Sequence, residues 1–324
     1  MSERSTTRRR RRAGGDGSPV VPEASFTSYY GRPVVKAAPW GHDIPAYLFL
    51  GGLAAGSSLL GAGADLTCRT TLRRAGRLGA FVGISLSMAA LVHDLGRPSR
   101  FLHMFRVAKP TSPMSMGTWL LTAYGPAAGT AGAAELARFL PLPRWVRTLL
   151  RVLARPAGLS AAAMAPGIAS YSAVVLADTA TPTWNSARRE LPFVFVGSAA
   201  SAAGGVGMLG ASLADALPAR RFAVAGVALE VVAEQFMERS MGLSAVAMHS
   251  GTAGRVERAG KVFTGLGGLG ALFAGRSRVA TAAAGASLIA GSACTRFAIF
   301  EAGQASALDP RYTVVPQRER LDAR

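Results

Sequence analysis

The sequence has few of the side chains that hold redox metals. It contains two cysteines, Cys68 and Cys294, in 324 residues. An iron–sulfur cluster normally takes four cysteine thiolates, so we expect this chain to hold none by itself. A membrane b-type haem takes two histidines that face each other within the bilayer. The four histidines fall instead near the ends of apolar segments or in loops: His42, His93, His103 and His249. We therefore expect no haem, and any redox role must depend on a diffusible lipid-soluble carrier and a partner subunit.

Motifs of common soluble enzymes are also missing. The sequence has no HExxH zinc motif, no GxxxxGK[ST] phosphate loop and no GxSxG nucleophile motif. Acidic residues are scarce, because 18 Asp and Glu stand against 36 Lys and Arg, a net charge of +18. The arginines gather between apolar segments, as in RTTLRRAGR (69–77) and RWVRTLLRVLAR (144–155). This placement indicates membrane topology and anionic lipid headgroups as the reason for the charge, and we expect no nucleic-acid partner.

Long apolar segments without charge are abundant. Half of the residues are hydrophobic, only 17% are charged, and the mean hydropathy is +0.27. A transmembrane helix takes about 20 apolar residues. Six uncharged segments reach that length alone or with their flanks: 44–64, 78–93, 114–134, 157–177, 191–214 and 279–295. Two weaker candidates are 222–237, which contains two glutamates, and the glycine-rich 262–275. We predict an all-α integral membrane protein with about eight transmembrane helices, arranged as two four-helix bundles.

The ends of the chain are polar. We predict a basic, disordered tail over 1–38, a membrane domain over 39–303 and a polar C-terminal tail over 304–324. The five arginines at 8–12 are not followed by an apolar stretch, so we expect no cleaved export signal. We expect a multi-pass protein of the cell membrane. The loops on the side of the chain termini hold about 10 Lys and Arg, and the loops on the opposite side hold about 13. The N-terminal tail adds eight to the side of the termini. Positive charge favours the cytoplasmic side, so we predict cytoplasmic termini.

Carboxylates mark the ends of three predicted spans. Asp43 begins the first, and Asp94 and Asp178 end the second and fourth. If consecutive spans alternate in direction, all three lie on one side of the membrane, with His42 and Tyr47 nearby. Asp94 is unusual because a helix C-terminus disfavours negative charge. Either the neighbouring Arg97 and Arg100 clamp it and fix the loop, or it serves proton transfer.

Polar side chains also occur inside predicted spans, where they are costly. Tyr171 lies within the fourth span and fits either a membrane-interface aromatic or a polar pocket. Glu230 and Glu234 share one helical face with Glu238. Two interpretations stay open for this face: the glutamates pair with Arg239, Arg296 or a loop arginine, or they form a proton path.

Four segments of the sequence resemble the NrfD/PsrC family, the membrane subunits of polysulfide reductase-like complexes. They are WGHDIPAYLFLGGLAAGSS (40–58), DLGRPSRFLHMFRVAKPTSPMSMGTWLL (94–121), YSAVVLADTATPTW (171–184) with LPFVFVGSAASAAGG (191–205), and RFAIFEAGQASALDPRYTVVPQR (296–318). The most specific part is DLGRPxRF followed by SPMSxGxW. The similarity covers most of the chain, from about residue 30 to about residue 320.

The resemblance implies eight helices in two bundles and a quinone site, for menaquinone or ubiquinone. It implies a ferredoxin-like iron–sulfur partner wired to a molybdopterin-type or other catalytic subunit, and no redox centre in this chain. The residues that match the family pattern are Tyr47, Asp94, Gly96, Arg97, Pro98, Arg100, Phe101 and Tyr171. The resemblance implies that the quinone head lies near Tyr171. Asp43 stands where many relatives have Glu, and His42 stands where the family often has an aromatic residue. The glycine that commonly follows the tyrosine at 171 is absent here, where Ser172 and Ala173 follow it.

Two other functions remain open from the sequence. A secondary transporter also carries acids within its spans, but it predicts internal repeats and broken helices that the sequence does not show. A passive anchor would hold a catalytic partner without touching quinone.

Overall fold

The computed structural model describes residues 33–322, so the predicted tail is described only from residue 33 onwards. Within that range the chain is 82% helical and has no strand. Eleven α-helices follow in chain order: α1 (Asp43–Leu66), α2 (Thr70–Asp94), α3 (Pro113–Leu136), α4 (Arg144–Ala177), α5 (Pro182–Ser186), α6 (Leu191–Gly210), α7 (Leu217–Ser240), α8 (Val246–His249), α9 (Gly251–Phe273), α10 (Arg278–Leu308) and α11 (Arg311–Asp322). Two 3₁₀ segments, Pro98–Arg106 and Gly242–Ala245, join them. The all-helical prediction is confirmed.

Five of the described helices are long and apolar enough to cross a membrane: α1, α2, α4, α6 and α10. Four of them contain a whole uncharged segment, and α6 holds residues 191–210 of the segment 191–214. The segment 114–134 lies on α3, which is not among these five helices. The weaker segment 222–237 lies on α7, and α9 holds residues 262–273 of the segment 262–275. A multi-pass membrane protein follows from these five helices.

For the eight described helices of 20 residues or more we use two names: the first helix group is α1, α2, α3 and α4, and the second helix group is α6, α7, α9 and α10. In the first group α1 packs against α2 and α4, and α3 packs against α2 and α4. In the second group α6 packs against α7 and α10, and α9 packs against the same two helices. Contacts of α6 with α1, α2 and α4, and of α10 with α1, join the two groups.

Small residues allow the close approach between the groups. A Cβ atom on Gly56 of α1 would lie 2.6 Å from the carbonyl oxygen of Ala199 and 2.7 Å from Cβ of Ala203, both on α6. A larger residue at Gly56 would therefore push α1 and α6 apart. Packing between helices in a membrane relies on such contacts because burial from lipid brings little hydrophobic gain.

The connection between α6 and α7 is fixed to the start of α2 by a carboxylate. Asp215 accepts hydrogen bonds from the backbone N–H of Thr71 at 3.0 Å and from its hydroxyl at 2.5 Å. A carboxylate is favourable there because the first N–H groups of a helix have no partner within the helix. The bond from the Thr71 hydroxyl, chiefly, lowers the pKa of Asp215 below the usual carboxyl range.

Several helices extend beyond the uncharged segments. Helix α4 begins at Arg144, thirteen residues before the segment at 157, and α2 begins at Thr70, eight residues before the segment at 78. Helix α10 continues to Leu308, past the predicted boundary at 303, and α11 follows within the predicted polar tail. In these helices charged turns continue the helix beyond the apolar segment, whereas α6 and α9 end at Gly210 and Phe273, before their segments end.

Candidate functional site

One candidate site lies where α1 begins and α2 ends. We call it the carboxylate end and define it by Asp43, His93, Asp94, His42 and Glu301. Asp43 is the first residue of α1, where the helix dipole favours a negative charge. Its Oδ2 atom lies 2.8 Å from Nδ1 of His93, in the last turn of α2. Both side chains reach the surface, since 39% of Asp43 and 81% of His93 is exposed.

Asp94 has a backbone partner and does not form the arginine clamp, which was one of its two interpretations. Its Oδ1 atom accepts a hydrogen bond from the N–H of Gly41 at 3.3 Å. Within residues 33–322 no ion pair joins it to Arg97 or Arg100, and both arginine side chains are exposed. Arg97 stands just before the 3₁₀ segment Pro98–Arg106 as its N-cap residue. Asp94 thus ties the segment before α1 to the end of α2.

His42 connects the same end to α10. Its Nε2 atom lies 2.8 Å from Oε1 of Glu301, and its ring stacks on Phe297 with a centroid distance of 6.2 Å. One turn further along α10, Gln304 donates a hydrogen bond to the carbonyl oxygen of Ala38 at 2.9 Å. The motif residues 38–43 and 296–304, distant in sequence, therefore meet.

The two predicted tyrosines lie below this end. Tyr47 follows Asp43 by one helical turn and is buried, and Ser87 of α2 donates a hydrogen bond to its carbonyl oxygen at 3.0 Å. Tyr171 is half-buried and packs against the same apolar core. A Cβ atom on Gly117 of α3 would lie 2.3 Å from a ring carbon of Tyr171, so that glycine makes room for the ring. The Tyr171 hydroxyl has no partner among the described residues.

Asp178 stands apart from the other predicted residues. It is the exposed C-cap residue of α4. Its side chain has no hydrogen bond or ion pair with any residue of the range 33–322. The structure brings Asp43, His42 and Asp94 into one connected surface cluster, and it leaves Asp178 and Arg97 outside that cluster.

The second helix group contains a line of buried polar side chains. Glu230 is almost fully buried and accepts hydrogen bonds from Thr295 at 2.9 Å and from Ser201 at 3.4 Å. Glu230 and Glu234 line a cavity of about 370 Å³ between α7, α9 and α10. The outer end of that cavity holds Glu238 and Lys261, whose side chains lie 2.9 Å apart. Polar groups thus extend from the surface to the interior.

Arg296 lies buried next to this line but does not form an ion pair with the glutamates. Its Nη2 atom donates a hydrogen bond to the carbonyl oxygen of Phe195 at 2.7 Å, and its guanidinium carbon lies 3.7 Å from the centre of the Phe195 ring. Its Nε and Nη1 atoms have no partner among the described residues. Pairing of the glutamate face with Arg239, another option from the sequence, is also not formed within the described range. Lys261, not an arginine, pairs with Glu238.

Among residues 33–322, one group of side chains has ligand atoms close enough together to hold a metal ion, and a lysine lies between two of its carboxylates. Ligand atoms of Glu238, His249 and Glu257 lie within 4.8 Å of one another. The Lys261 ammonium already lies 2.9 Å from Glu238 and 2.8 Å from Glu257, and it supplies the positive charge there. The two cysteines of the chain are free.

Sequence reasoning missed several of these contacts. Tyr124 is fully buried and its hydroxyl lies 2.8 Å from the hydroxyl of Ser58, which links α3 to α1. The signal was a tyrosine in the middle of the uncharged segment 114–134. Glu257 and Lys261 are four residues apart, a spacing that places them side by side on α9. The pairing of His93 with Asp43 had no signal in the sequence, since it depends on how α1 and α2 align.

The fold and these clusters define a multi-pass helical membrane protein with ionisable groups at one end and within its second helix group. A family profile described as "Polysulphide reductase, NrfD" matches residues 34–238, which is 205 of the 324 residues. The chain belongs to this family, and membership indicates the membrane subunit of a redox complex. A comparison with curated proteins gave no significant match. The family inferred from the sequence motifs is confirmed over these residues, and the fourth motif segment, 296–318, lies outside the match.

Proposed function

We propose that this chain exchanges electrons and protons with the membrane quinone pool and anchors an iron–sulfur subunit. In this proposal its eight long helices cross the cell membrane as two four-helix bundles. The proposal rests on the family, which is associated with quinones and with iron–sulfur and catalytic partners. The observation that carries it is the meeting of Asp43, His93 and Asp94 at one end, above Tyr47 and Tyr171.

The residues present fit a quinone next to Tyr171. A quinone needs an apolar slot and a hydrogen-bond donor for a carbonyl oxygen, and the Tyr171 hydroxyl is half-buried and has no partner among the described residues. Thr118 follows Gly117, which makes room for the Tyr171 ring, and it lines an apolar cavity of about 260 Å³ formed with α2 and the segment Pro98–Arg106; Tyr171 itself is not among the lining residues. Its walls include Met88, Leu91, Phe101, Met104 and Phe105. Such a mixture of apolar walls and few polar groups is typical of cofactor sites.

The carboxylate end suits the release of protons. A bound quinol supplies two electrons and two protons when it is oxidised, and a bound quinone takes up two electrons and two protons through the same groups when it is reduced. The imidazole of His93 can accept and donate a proton, and its hydrogen bond to Asp43 orients the ring. Asp43 or Asp94 accepts the second proton, and all three side chains reach the surface. The proposed role of Tyr171 is to bind and orient, and that of Asp43 and His93 is to move protons.

The iron–sulfur partner is proposed to bind at the carboxylate end. Electrons then have a short route to the quinone, and a molybdopterin-type catalytic subunit completes the complex. The exposed Arg97, Arg100 and Arg106 of the adjoining loop offer charged contacts to such a partner. The cytoplasmic position of this end and of the chain termini stays a prediction.

The buried line in the second helix group supports a second candidate function. Glu230 and Glu234, with Glu238 at the surface, line a cavity that a proton could follow into the membrane. Ion translocation by this route is an alternative to a purely quinone-coupled role. At the opposite end of the second helix group, buried apolar residues such as Met208 and Leu288 leave no polar path. A proton path along the glutamates would therefore open to one side of the membrane only.

The test is quinone-linked turnover of the purified whole complex, normalised to assembled subunits. An artificial electron acceptor that takes electrons from the partner subunits serves as the control. The proposal predicts that Asp43→Asn and Tyr171→Phe slow quinone reduction and leave the artificial acceptor rate unchanged. Equal quinone-linked rates in wild type and both variants would favour the hypothesis of a passive anchor, which holds a catalytic partner without touching quinone.

A further inference from the structure

A second charged cluster lies at the end of the first helix group opposite to the carboxylate end. Two carboxylates are at its centre, Asp65 at the end of α1 and the buried Glu135 at the end of α3. Glu135 lies 3.0 Å from Arg77, 3.2 Å from Arg73 and 2.7 Å from Arg138. Asp65 pairs with the same Arg73 and Arg77 at 3.4 and 3.2 Å, and with Arg155 at 3.7 Å. The two negative charges are therefore already compensated inside the protein.

A cavity of about 340 Å³ beside these ion pairs carries an excess of positive charge. Six arginines and the two carboxylates line it, a net charge of +4. We call it the arginine pocket, and its arginines are Arg73, Arg77, Arg138, Arg147, Arg151 and Arg155. Arg151 has no hydrogen bond or ion pair within the described range, and Arg147 contacts only the carbonyl oxygen of Leu142, at 3.4 Å. Uncompensated guanidinium groups around one cavity favour binding of an anion.

The arginine pocket lies at the depth of the membrane surface. Helix α4 has 34 residues and is about 51 Å long, whereas the hydrocarbon core is about 30 Å thick, so part of α4 extends beyond that core. Its first turns carry Arg147, Arg151 and Arg155 four residues apart on one face. Trp145, Leu149 and Val152 are exposed on the same turns. Tryptophan beside exposed leucine and valine is typical of the interface between headgroups and acyl chains.

We propose that the arginine pocket binds the phosphate headgroup of an anionic phospholipid. The guanidinium groups of Arg147 and Arg151 donate to the phosphate oxygens, a geometry in which arginine forms paired hydrogen bonds. The acyl chains run along the exposed apolar side chains of α4, such as Leu149 and Val152. This apolar surface beside the charge favours a phospholipid over free phosphate, because free phosphate has no apolar part to bury.

The test measures lipid binding by the full-length protein in nanodiscs. Phosphatidylglycerol and phosphatidylcholine with identical acyl chains are compared, by native mass spectrometry of retained lipid and by thermal stability. Wild type should retain phosphatidylglycerol preferentially. Each arginine near an anionic headgroup strengthens binding about five-fold, so Arg147→Gln with Arg151→Gln should weaken that preference about 25-fold if the effects add.

The matched control is Arg276→Gln. Arg276 is exposed between α9 and α10, at the same end of the molecule, and has no partner among the described residues. Arg276→Gln removes one positive charge, as each single pocket variant does, and should leave the preference close to that of wild type. Equal losses in the control and the double variant would refute a specific site. Displacement of phosphatidylglycerol by millimolar inorganic phosphate would identify a simple anion site and overturn the phospholipid proposal, as would equal retention of both lipids by wild type.

Discussion

Tyr171→Phe separates binding of a quinone from stability of the fold. The substitution removes one hydroxyl that has no partner among the described residues, and it keeps the ring that packs on Gly117. The free energy of unfolding should therefore change little. If the hydroxyl donates to a quinone carbonyl, its loss costs about 0.5–1.5 kcal/mol. At 1.36 kcal/mol per tenfold change, quinone-linked turnover should fall about 2- to 12-fold.

Gly117→Ala perturbs the same side chain without removing the hydroxyl. The new Cβ atom would lie 2.3 and 2.6 Å from two ring carbons of Tyr171, so the ring must move. Displacement by about 1 Å costs up to about a hundred-fold in rate when a group must be precisely placed. We expect a loss of turnover at least as large as in Tyr171→Phe, although every polar atom is retained.

Matched controls exist on the chain for both substitutions. A Cβ atom on Gly129, also on α3, would meet no atom within 4 Å, so Gly129→Ala should leave turnover unchanged. Tyr312 bonds Arg311 outside the spans at 2.9 Å, and Tyr312→Phe should also leave quinone turnover unchanged. The assay is turnover with a soluble quinone analogue, normalised to assembled complex and to the artificial acceptor rate. Wild-type rates in both Tyr171→Phe and Gly117→Ala would refute a quinone at Tyr171.

Four further predictions concern other residues. Asp43→Asn and Asp94→Asn should both leave assembly intact and slow quinone turnover per assembled complex; unchanged turnover would argue against proton transfer by these carboxylates. Glu230→Gln keeps an acceptor for Thr295 at 2.9 Å, so folding should persist while proton uptake by reconstituted vesicles slows, and unchanged uptake would exclude the buried path. Asp215→Asn should lower thermal stability at pH 7 and should lower it less near pH ~3. The pKa of Asp215 is lowered in the folded state, so the charged carboxylate stabilises the fold above the usual carboxyl range and this effect is lost as the pH falls. A stability difference that does not change with pH would contradict this. Cross-links from the iron–sulfur subunit should reach the segment Pro98–Arg106 and not the first turns of α4, and the reverse pattern would place the partner at the opposite end.

The helical class and the family were predictable because they depend on local signals. Uncharged segments of about 20 residues reveal helices that can cross a membrane, and motifs such as DLGRPSRF persist as contiguous strings. Helix ends were less predictable. Helix α4 begins thirteen residues before its uncharged segment because arginines and tryptophan continue the helix into the interface. Local composition does not separate a charged helical turn from a loop.

The contacts within the candidate site depend on alignment between distant helices, and this limited the sequence predictions. Alternation of spans predicts that Asp43 and Asp94 share one side, and the two residues are linked through Gly41 and His93. It does not predict that Gly41, and not Arg97, binds Asp94. The partner of Glu238 is Lys261, 23 residues later on another helix, whereas sequence reasoning considered only arginines. Which side chains are neighbours within one helix follows from their spacing in the sequence, but which side chains are neighbours between helices is known only from the folded structure.

Photo-labelling of the purified complex with an azidoquinone tests the quinone site most directly. The label is followed by peptide mapping, with and without excess natural quinone. The account predicts labelled peptides from α4 around Tyr171, from α3 around Gly117 or from the segment Pro98–Arg106, and it predicts that excess quinone abolishes them. Labelling confined to other helices, or labelling that excess quinone does not reduce, would contradict a quinone site in this chain.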